Sequence, residues 1–563
     1  VAILLIGIDV GGTFTDGVLF DGRVIKESVK RPTDNDNLDR VILEVLNELL
    51  SVVPEEKTVE RIVLSTTLVT NLLATGKGKR TALILIPGYG LPHDAYQLSP
   101  DTFFITGAID FRGREIEPIS VNEIRALADK LKQMGIKRAA IAGKFSNRNR
   151  SHESQTADIL KQEYPDLEVF LSCDIANQLN FPRRAATAYF TAMISREWQH
   201  FVDEVEKALQ KRGADIEVHI LKADGGTLPL DISRHYPCET IFSGPAASTM
   251  GALALTMDNK NSLVIDIGGT TSDLALLVEG LPLQASRGAQ LMNHYTHVKA
   301  VSVRSIAIGG DSPLAYSDGR ITIQADRKGP AACFGGDAAT VTDVFNYRLA
   351  LQQGDVNRSK NYLQNIAEQA HLDLDSMCDQ VIDDVIKTLV RATDDMFKEW
   401  ENEPAYRVWE VVHRRKFTLD RVVGIGAAAH FIIPRVAQFL GVEPFVHHYS
   451  DVANALGAAV ARPTLSVYLH LDTERSLCSV EPGGVVEKTH EIVKYQLSDA
   501  RELAVKYLRK WGKERRMEAY LDEYNVFHEE QFNVIRGWNR TGRIFDIGIQ
   551  IAPGLIQEYQ GVK

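Results

Sequence analysis

None of the five cysteines in this 563-residue chain (Cys173, Cys238, Cys333, Cys378, Cys478) stands in a C-x-x-C pair. That spacing speaks against a zinc ribbon or a redox dithiol, and the thiols read as buried or free in a reducing cytosol. No apolar run approaches the roughly 20 residues of a membrane span, so no membrane partner is expected. A basic surplus is missing too: 63 Lys and Arg face 74 Asp and Glu, a net charge of −11 with a pI near 5.8. Phosphate backbones need a basic surface, so nucleic acid is not expected as a main partner. The apolar N-terminus has no basic flank and reaches Asp9 too soon for a signal peptide. The opening Val1 reads as a trimmed start, and the expected location is cytoplasmic. There is no low-complexity segment.

What the chain does carry is one stretch written twice. Ile8-Asp9-Val10-Gly11-Gly12-Thr13-Phe14-Thr15-Asp16 is matched by Ile265-Asp266-Ile267-Gly268-Gly269-Thr270-Thr271-Ser272-Asp273. Each copy follows an apolar run (Ala2 to Ile6; Ser262 to Ile265) and leads into another (Gly17 to Phe20; Leu274 to Val278). After the first copy, an Asp21-Gly22 turn and an alternating stretch to Val29 give strand, tight turn, strand. Paired glycines let backbone N–H groups approach an anion, usually phosphate, and the Thr and Ser hydroxyls add donors. An Asp at the end of the first strand repels phosphate, but it can hold a divalent metal that binds phosphate, or orient a water. Taken singly, Asp-x-Gly-Gly is as readily an ordinary hairpin turn. Two copies with matching flanks favour two turns that face each other and clamp one nucleotide.

Arg421 to Ala429 supplies a third element, a short strand entering the small-residue loop Gly424-Ile425-Gly426-Ala427, with a helix from Phe431 to Leu440. The run also fits the dinucleotide fingerprint G-x-G-x-x-A, with Glu443 spaced for a ribose. Glu443, however, precedes the next apolar run instead of ending it, and that reading leaves both hairpins unexplained. The loop is read as the floor under an adenosine.

The rest of the chain alternates. Helical spacing covers Val41 to Val53, Val121 to Met134, and Phe181 to about Lys211, the last a candidate bridge between lobes. Strands are expected at Arg61 to Leu64, Thr81 to Ile86 and Arg138 to Phe145, so Ile62 to Asp174 reads as a parallel α/β sheet. Ser65-Thr66-Thr67 opens a short helix, where hydroxyls cap and can also donate to an anion. Asp224-Gly225-Gly226-Thr227 is a third Asp-Gly-Gly turn. Ser243 to Ser248 opens a helix and reads as close packing. His294 and His297 lack a carboxylate cluster and read as surface or core residues. Ile308 to Ser312 and Gly335 to Asp337 are further glycine turns for the cleft, and Ala338 to Trp400 is helical with one charged face. Asp451 to Ala461 is a helix of small residues. Beyond Pro463, strands are expected at Leu465 to Leu471, Arg516 to Leu521 and Ile544 to Ile551, with a helix near Asp499 to Lys510. The expected units are residues 1–180, 181–463 and 464–563: two α/β lobes, each with a phosphate hairpin, and an appended α+β domain.

Two phosphate hairpins followed by an adenosine loop resemble the actin, heat-shock ATPase and sugar-kinase superfamily, which implies ATP and a metal between two similar lobes. More narrowly, the chain resembles the ATP-dependent hydantoinase/oxoprolinase large subunits. The resemblance rests on Asp9 to Asp16, Thr66-Thr67 with Asn71, Phe145 to Glu153, Asp224 to Thr227, Ser243 to Gly251, Asp266 to Asp273, Gly329 to Gly336, Thr340 to Asp343, and Phe532 to Trp538 with Thr541-Gly542. The ordered set is specific; each piece alone is not. Arg304 to Ser312 departs from the glycine run of longer members. Membership implies ATP-driven opening of cyclic amides such as 5-oxoproline or hydantoins, or carboxylation in the acetone carboxylase branch. It also implies a second hydantoinase-type subunit or further copies of the chain as partner.

A lactam carbonyl is a poor electrophile, and phosphorylating its oxygen gives an imidate that water can attack. Phosphoryl transfer itself asks for positioning and charge neutralisation. The expected roles are Asp9 and Asp266 for Mg2+; Gly11, Gly12, Thr13, Thr15, Gly268, Gly269, Thr270 and Thr271 for phosphates; and Gly424, Gly426 and Ala427 for adenosine. Asp9, Asp266 and Asp273 are the catalytic carboxylates, with Asp266 and Asp273 both open as the group that orients the acceptor. A cyclic-amide hydrolase, a small-molecule kinase and an ATPase subunit of an acetone-carboxylase-like complex all remain open.

Overall fold

The structure is a computed structural model that describes residues 3–34, 37–54, 58–210, 216–402, 418–488, 494–537 and 539–563. Val1, Ala2, Lys211 and Trp538, all named above, lie outside those residues. The first sheet runs in the order Thr227–Pro229, Glu217–Leu221, Arg61–Thr66, Leu5–Val10, Phe14–Phe20, Ile25–Pro32. Three of its four inner strands, Glu217–Leu221, Arg61–Thr66 and Leu5–Val10, are parallel, and every residue of Leu5–Val10 is buried, as a strand covered on both faces requires. The sheet crosses the division expected at residue 180, because strands 217–221 and 227–229 belong to it. Parallel partners come from far along the chain, so no local signal marks them.

A second, four-stranded parallel sheet is built from Glu168–Leu171, Arg138–Gly143, Ala82–Ile86 and Thr102–Phe104. The long helix Phe181–Gln210 joins this sheet to the first. Phe190, Ile194 and Trp198 enter the core of the first sheet, and Ala185, Ala188 and Ala192 pack on the second. It therefore bridges two sheets of the N-terminal half and not the two lobes.

The second lobe repeats the first lobe's plan. Its sheet runs Leu281–Pro282, Ser272–Val278, Ser262–Ile267, Arg421–Ile425, Glu443–Phe445, with Val303–Ile306 alongside Ser272–Val278. Helices Val341–Leu349, Val356–Ala370 and Leu374–Glu401 cover one face, burying a row that includes Met377, Val381, Val385 and Leu389.

Between the lobes lie two crossed helices, Ser243–Thr256 and Ala453–Val460. Both are rich in small residues and buried nearly all round, as a helix packed on every side must be. At the crossing, a β-carbon on Gly251 would strike the Ala453 carbonyl, and one on Gly457 the Gly251 backbone. Only glycine permits that approach. Their shared core takes Leu5 and Val63 from the first sheet and Val264 and Val423 from the second.

The C-terminal unit is a five-stranded antiparallel sheet, in the order Val485–Lys488, Leu477–Glu481, Leu465–Asp472, Asn539–Ile551, Tyr524–Arg536, packed against helix Leu497–Glu514. Arg516 to Leu521 is not a strand: Glu518–Tyr520 is a 3-10 turn. Met517, Tyr520 and Leu521 are all buried, a helical rather than an alternating spacing. The last residues leave this unit. Tyr559 packs against Phe20 and donates to the Ala254 carbonyl at 2.8 Å. Among the described residues no helix is long and apolar enough to cross a membrane.

Candidate active site

Both repeated stretches form hairpins with the same register. Asp9 pairs with Asp16 across the first and Asp266 with Asp273 across the second. Directly opposed residues share a sheet face, so each hairpin carries two carboxylates on one side. The turns close alike, with Gly11 N–H donating to Phe14 O at 2.9 Å and Gly268 N–H to Thr271 O at 3.0 Å. Among the described residues no acceptor is found for the N–H groups of Gly12, Thr13, Gly269 or Thr270.

The tips face each other, as the sequence suggests. A β-carbon on Gly12 would lie 3.5 Å from Thr270 Oγ1, and one on Gly269 would run into Thr13 Oγ1. The Gly309-Gly310-Asp311 turn closes one side: Gly310 and Asp311 N–H donate to the Gly268 and Gly269 carbonyls at 2.9 and 2.7 Å. Thr13 Oγ1 reaches Asp311 Oδ2 at 3.5 Å, and Arg327 pairs with that carboxylate at 2.7 Å. The Gly335 turn lies beside the first hairpin, where Phe334 meets Phe14 edge-on.

The carboxylates are tied together by the crossed helices. Asn454 Nδ2 donates to Asp9 Oδ2 at 3.3 Å and to Asp266 Oδ2 at 3.1 Å, and Ser248 Oγ donates to Asp266 Oδ2 at 2.5 Å. Sequence reasoning missed both donors. Ser248 lies in a stretch that reads as close packing, and Asn454 is a lone polar residue in an apolar helix, which is the signal that finds it: a buried amide needs polar partners.

Asp9 is 2% exposed, and its Oδ1 has no partner among the described residues. Burial, with the charges of Asp16 and Asp266 nearby, pushes its carboxyl up to about 7. Asp273 is likewise pushed to about 7 by burial and by Asp266, against Ser305 on the adjacent strand, and its Oδ1 is also partnerless. Asp16 is raised by burial and held by Lys30 at 2.8 Å.

No cluster of three or more His, Cys, Asp or Glu side chains forms a metal cage among the described residues. Mg2+ needs no such cage, since it keeps its waters and takes one or two carboxylates with phosphate oxygens. A buried carboxylate oxygen without a partner on Asp9, beside Asp266, fits that requirement.

Several assigned residues turn away from the gap. Thr15 is fully buried, with its hydroxyl 3.0 Å from that of Thr33; strand alternation points it opposite Asp16. Thr66 is buried against Ser243, whose hydroxyl donates to Thr66 O at 2.9 Å, whereas Ser65 pairs in register with Asp9 and its side chain holds the Asp9 carboxyl down against burial. Gly424 lies within the buried strand Arg421–Ile425 beneath Ile433 of the following helix. The loop proper is Gly426 and Ala427. Gly426 has φ +92°, and a β-carbon there would approach Ile267 O at 2.7 Å and Asp266 Oδ1 at 3.4 Å, so the loop abuts the second hairpin. Glu443 pairs in register with Arg421, at the far end of the strand, and binds Lys260 at 2.9 Å. Four strand residues separate it from the loop, roughly 13 Å, which removes the dinucleotide reading. His297 lies 3.4 Å from the Asn180 carbonyl.

Two sheets of one plan, each ending in a glycine hairpin with paired carboxylates and joined by crossed helices, define the two-lobed fold of actin, heat-shock ATPases and sugar kinases. The Hydantoinase/oxoprolinase profile matches residues 184–467, and that of the Hydantoinase/oxoprolinase N-terminal region residues 5–164. The chain belongs to the hydantoinase/oxoprolinase family. It is 25% identical to caprolactamase subunit alpha of Pseudomonas jessenii over 373 residues, covering 60% of this chain and 53% of that one. The chain spans about half the length of the curated relatives it matches. Nucleotide-free acetone carboxylase superposes with a TM-score of 0.70 at 17% identity, over 100% of this chain and 89% of that one. The ATP-dependent caprolactamase of Pseudomonas jessenii gives 0.68 at 18%, over 97% and 87%.

Proposed function

We propose that the gap between the hairpins binds ATP, and that its γ-phosphoryl group passes to the carbonyl oxygen of a small cyclic amide of hydantoin or 5-oxoproline type, which water then opens. The observation that carries this reading is the opposition of the two turns over two carboxylates joined by one amide. The free N–H groups of Gly12, Thr13, Gly269 and Thr270 bind phosphate oxygens, Thr271 adds a hydroxyl, and Gly426 and Ala427 lie under the adenosine. Asp9 and Asp266 would hold Mg2+, which neutralises phosphate charge when bound. Ser248 and Asn454 fix the Asp266 carboxylate, leaving Asp273 as the group that orients and deprotonates the attacking water. A base with a pKa near 7 suits that task at neutral pH. The lobes divide along their sheets, with residues 217–229 in the first.

The likeness to acetone carboxylase favours a second reading, an ATPase subunit acting with a partner. Heavy oxygen separates the two. A lactam labelled at its carbonyl delivers the label to inorganic phosphate if that oxygen is phosphorylated. Ring opening that yields unlabelled phosphate, under conditions that prevent exchange, excludes the mechanism. A stable phosphorylated product identifies a kinase instead.

A further inference from the structure

The third Asp-Gly-Gly turn takes no part in the gap between the hairpins; it borders a cavity of about 270 Å³ where the C-terminal sheet meets the rest of the protein. A smaller cavity of about 80 Å³ shares Lys299 and Tyr468 as walls. No residue of either glycine hairpin or of the Gly426 loop lines either one.

Three cationic side chains and one carboxylate, Asp224, line the larger cavity among the described residues. Arg183, Arg287 and Lys299 line it, and none of them has an ion pair among the described residues. Lys299 Nζ donates to Ser466 Oγ at 2.8 Å and Gln550 Oε1 at 2.9 Å and lies over the Phe527 ring at 4.2 Å. An ammonium carries three N–H donors, so one remains. Arg183 and Arg287 both lie over Tyr295, at 5.5 and 5.8 Å, with Arg287 exposed to solvent.

Among the described residues the one carboxylate that lines this cavity, Asp224, is already satisfied. Asp224 Oδ2 accepts from Thr464 Oγ1 at 2.8 Å and from Lys222 Nζ at 3.2 Å, and Oδ1 accepts from Gly226 N–H at 2.9 Å. Burial pushes the Lys299 ammonium down to about 8, against the more distant charges of Asp224, Glu481 and Glu239, and a small anion seated beside it offsets that desolvation cost. The rings of Tyr468 and Phe527, with Ile551 and Pro553, give the same space an apolar side.

We propose that this cavity binds the carboxylate of a small organic acid, gripped by Lys299 with Arg183 and Arg287 at the rim and its apolar body against Tyr468 and Phe527. The site is independent of the nucleotide reading, and it gives the C-terminal unit a role, since Ser466, Phe527 and Gln550 complete the walls.

The test is calorimetric titration of the full chain, at constant ionic strength, with acetate, butyrate and benzoate and with the three corresponding amides. At least one acid saturates below about 10 mM and binds about tenfold or more tighter than its amide. Lys299→Met weakens that acid by about tenfold or more, and so does the double variant Arg183→Gln/Arg287→Gln. The double variant leaves the Ser466 and Gln550 contacts in place, which guards against a Lys299→Met protein that fails to fold. Equal binding of acid and amide, no saturation by any acid, or unchanged affinity in the double variant overturns the assignment.

Discussion

The two glycine hairpins share turn, register and flanking strands, yet their carboxylates sit in different surroundings. In the first, the strand-end Asp9 is buried with a partnerless oxygen, while Asp16 across from it is held by Lys30. In the second the roles are exchanged. The strand-end Asp266 is gripped by Ser248 and Asn454, and Asp273 across from it has the partnerless oxygen. A repeated sequence therefore fixes the backbone of both halves, and residues outside the repeat decide which carboxylate is anchored. Lys30 comes from the next strand, and Ser248 and Asn454 from the crossed helices.

Removing the anchored carboxylate gives the largest effect. Asp266→Asn is expected to lower ATP turnover by about 10²- to 10³-fold with the fold intact, the usual loss for one transition-state charge contact. Unchanged turnover in the purified variant breaks the assignment. Asn454→Ala removes the amide shared by both halves. A hydrogen bond to a charged group contributes about 1.5–3 kcal/mol, so turnover is expected to fall about 10- to 100-fold. Equal loss with Ser248→Ala would show that Asn454 serves only Asp266.

The smallest effect concerns pH. Asp9 is pushed up to about 7, so between the ordinary carboxylate range near 4 and pH 7 the folded chain keeps a proton that the unfolded chain has released. Its contribution to stability is full in acid and is lost as pH rises through about 7. Asp9→Asn should therefore raise the melting midpoint at pH 8 by roughly 2–4 °C, with a smaller gain at pH 5. An equal gain at both pH values would show that Asp9 is not the titrating group.

The hairpins and the Gly426 loop were legible because glycine pairs, hydroxyls and a strand-end Asp are local signals. The lobe boundary was not, since strands 217–221 and 227–229 join a sheet whose other strands lie more than a hundred residues earlier. Nor was the burial of Thr15: alternation sets it opposite Asp16, but only its packing against Thr33 shows that this side faces inward. Gly424 reads as part of a loop until the packing of Ile433 shows it inside the strand. The 3-10 turn at Glu518–Tyr520 shows the same limit, because burial on the C-terminal core decides its conformation.

The central claim is that both halves serve one nucleotide. Gly12 is exposed at the first tip, where among the described residues a β-carbon would meet only Thr270 Oγ1, at an ordinary 3.5 Å, and Ala427 is exposed on the loop beside the second hairpin. Gly426 is a poorer probe, since any side chain there strains the turn. Calorimetric titration of the wild type, Gly12→Leu and Ala427→Trp with β,γ-imido-ATP and Mg2+ tests the claim directly. The expected result is one nucleotide per chain in the wild type, with affinity reduced at least about tenfold in each folded variant. Two nucleotides per chain, or unchanged affinity in either folded variant, would contradict it.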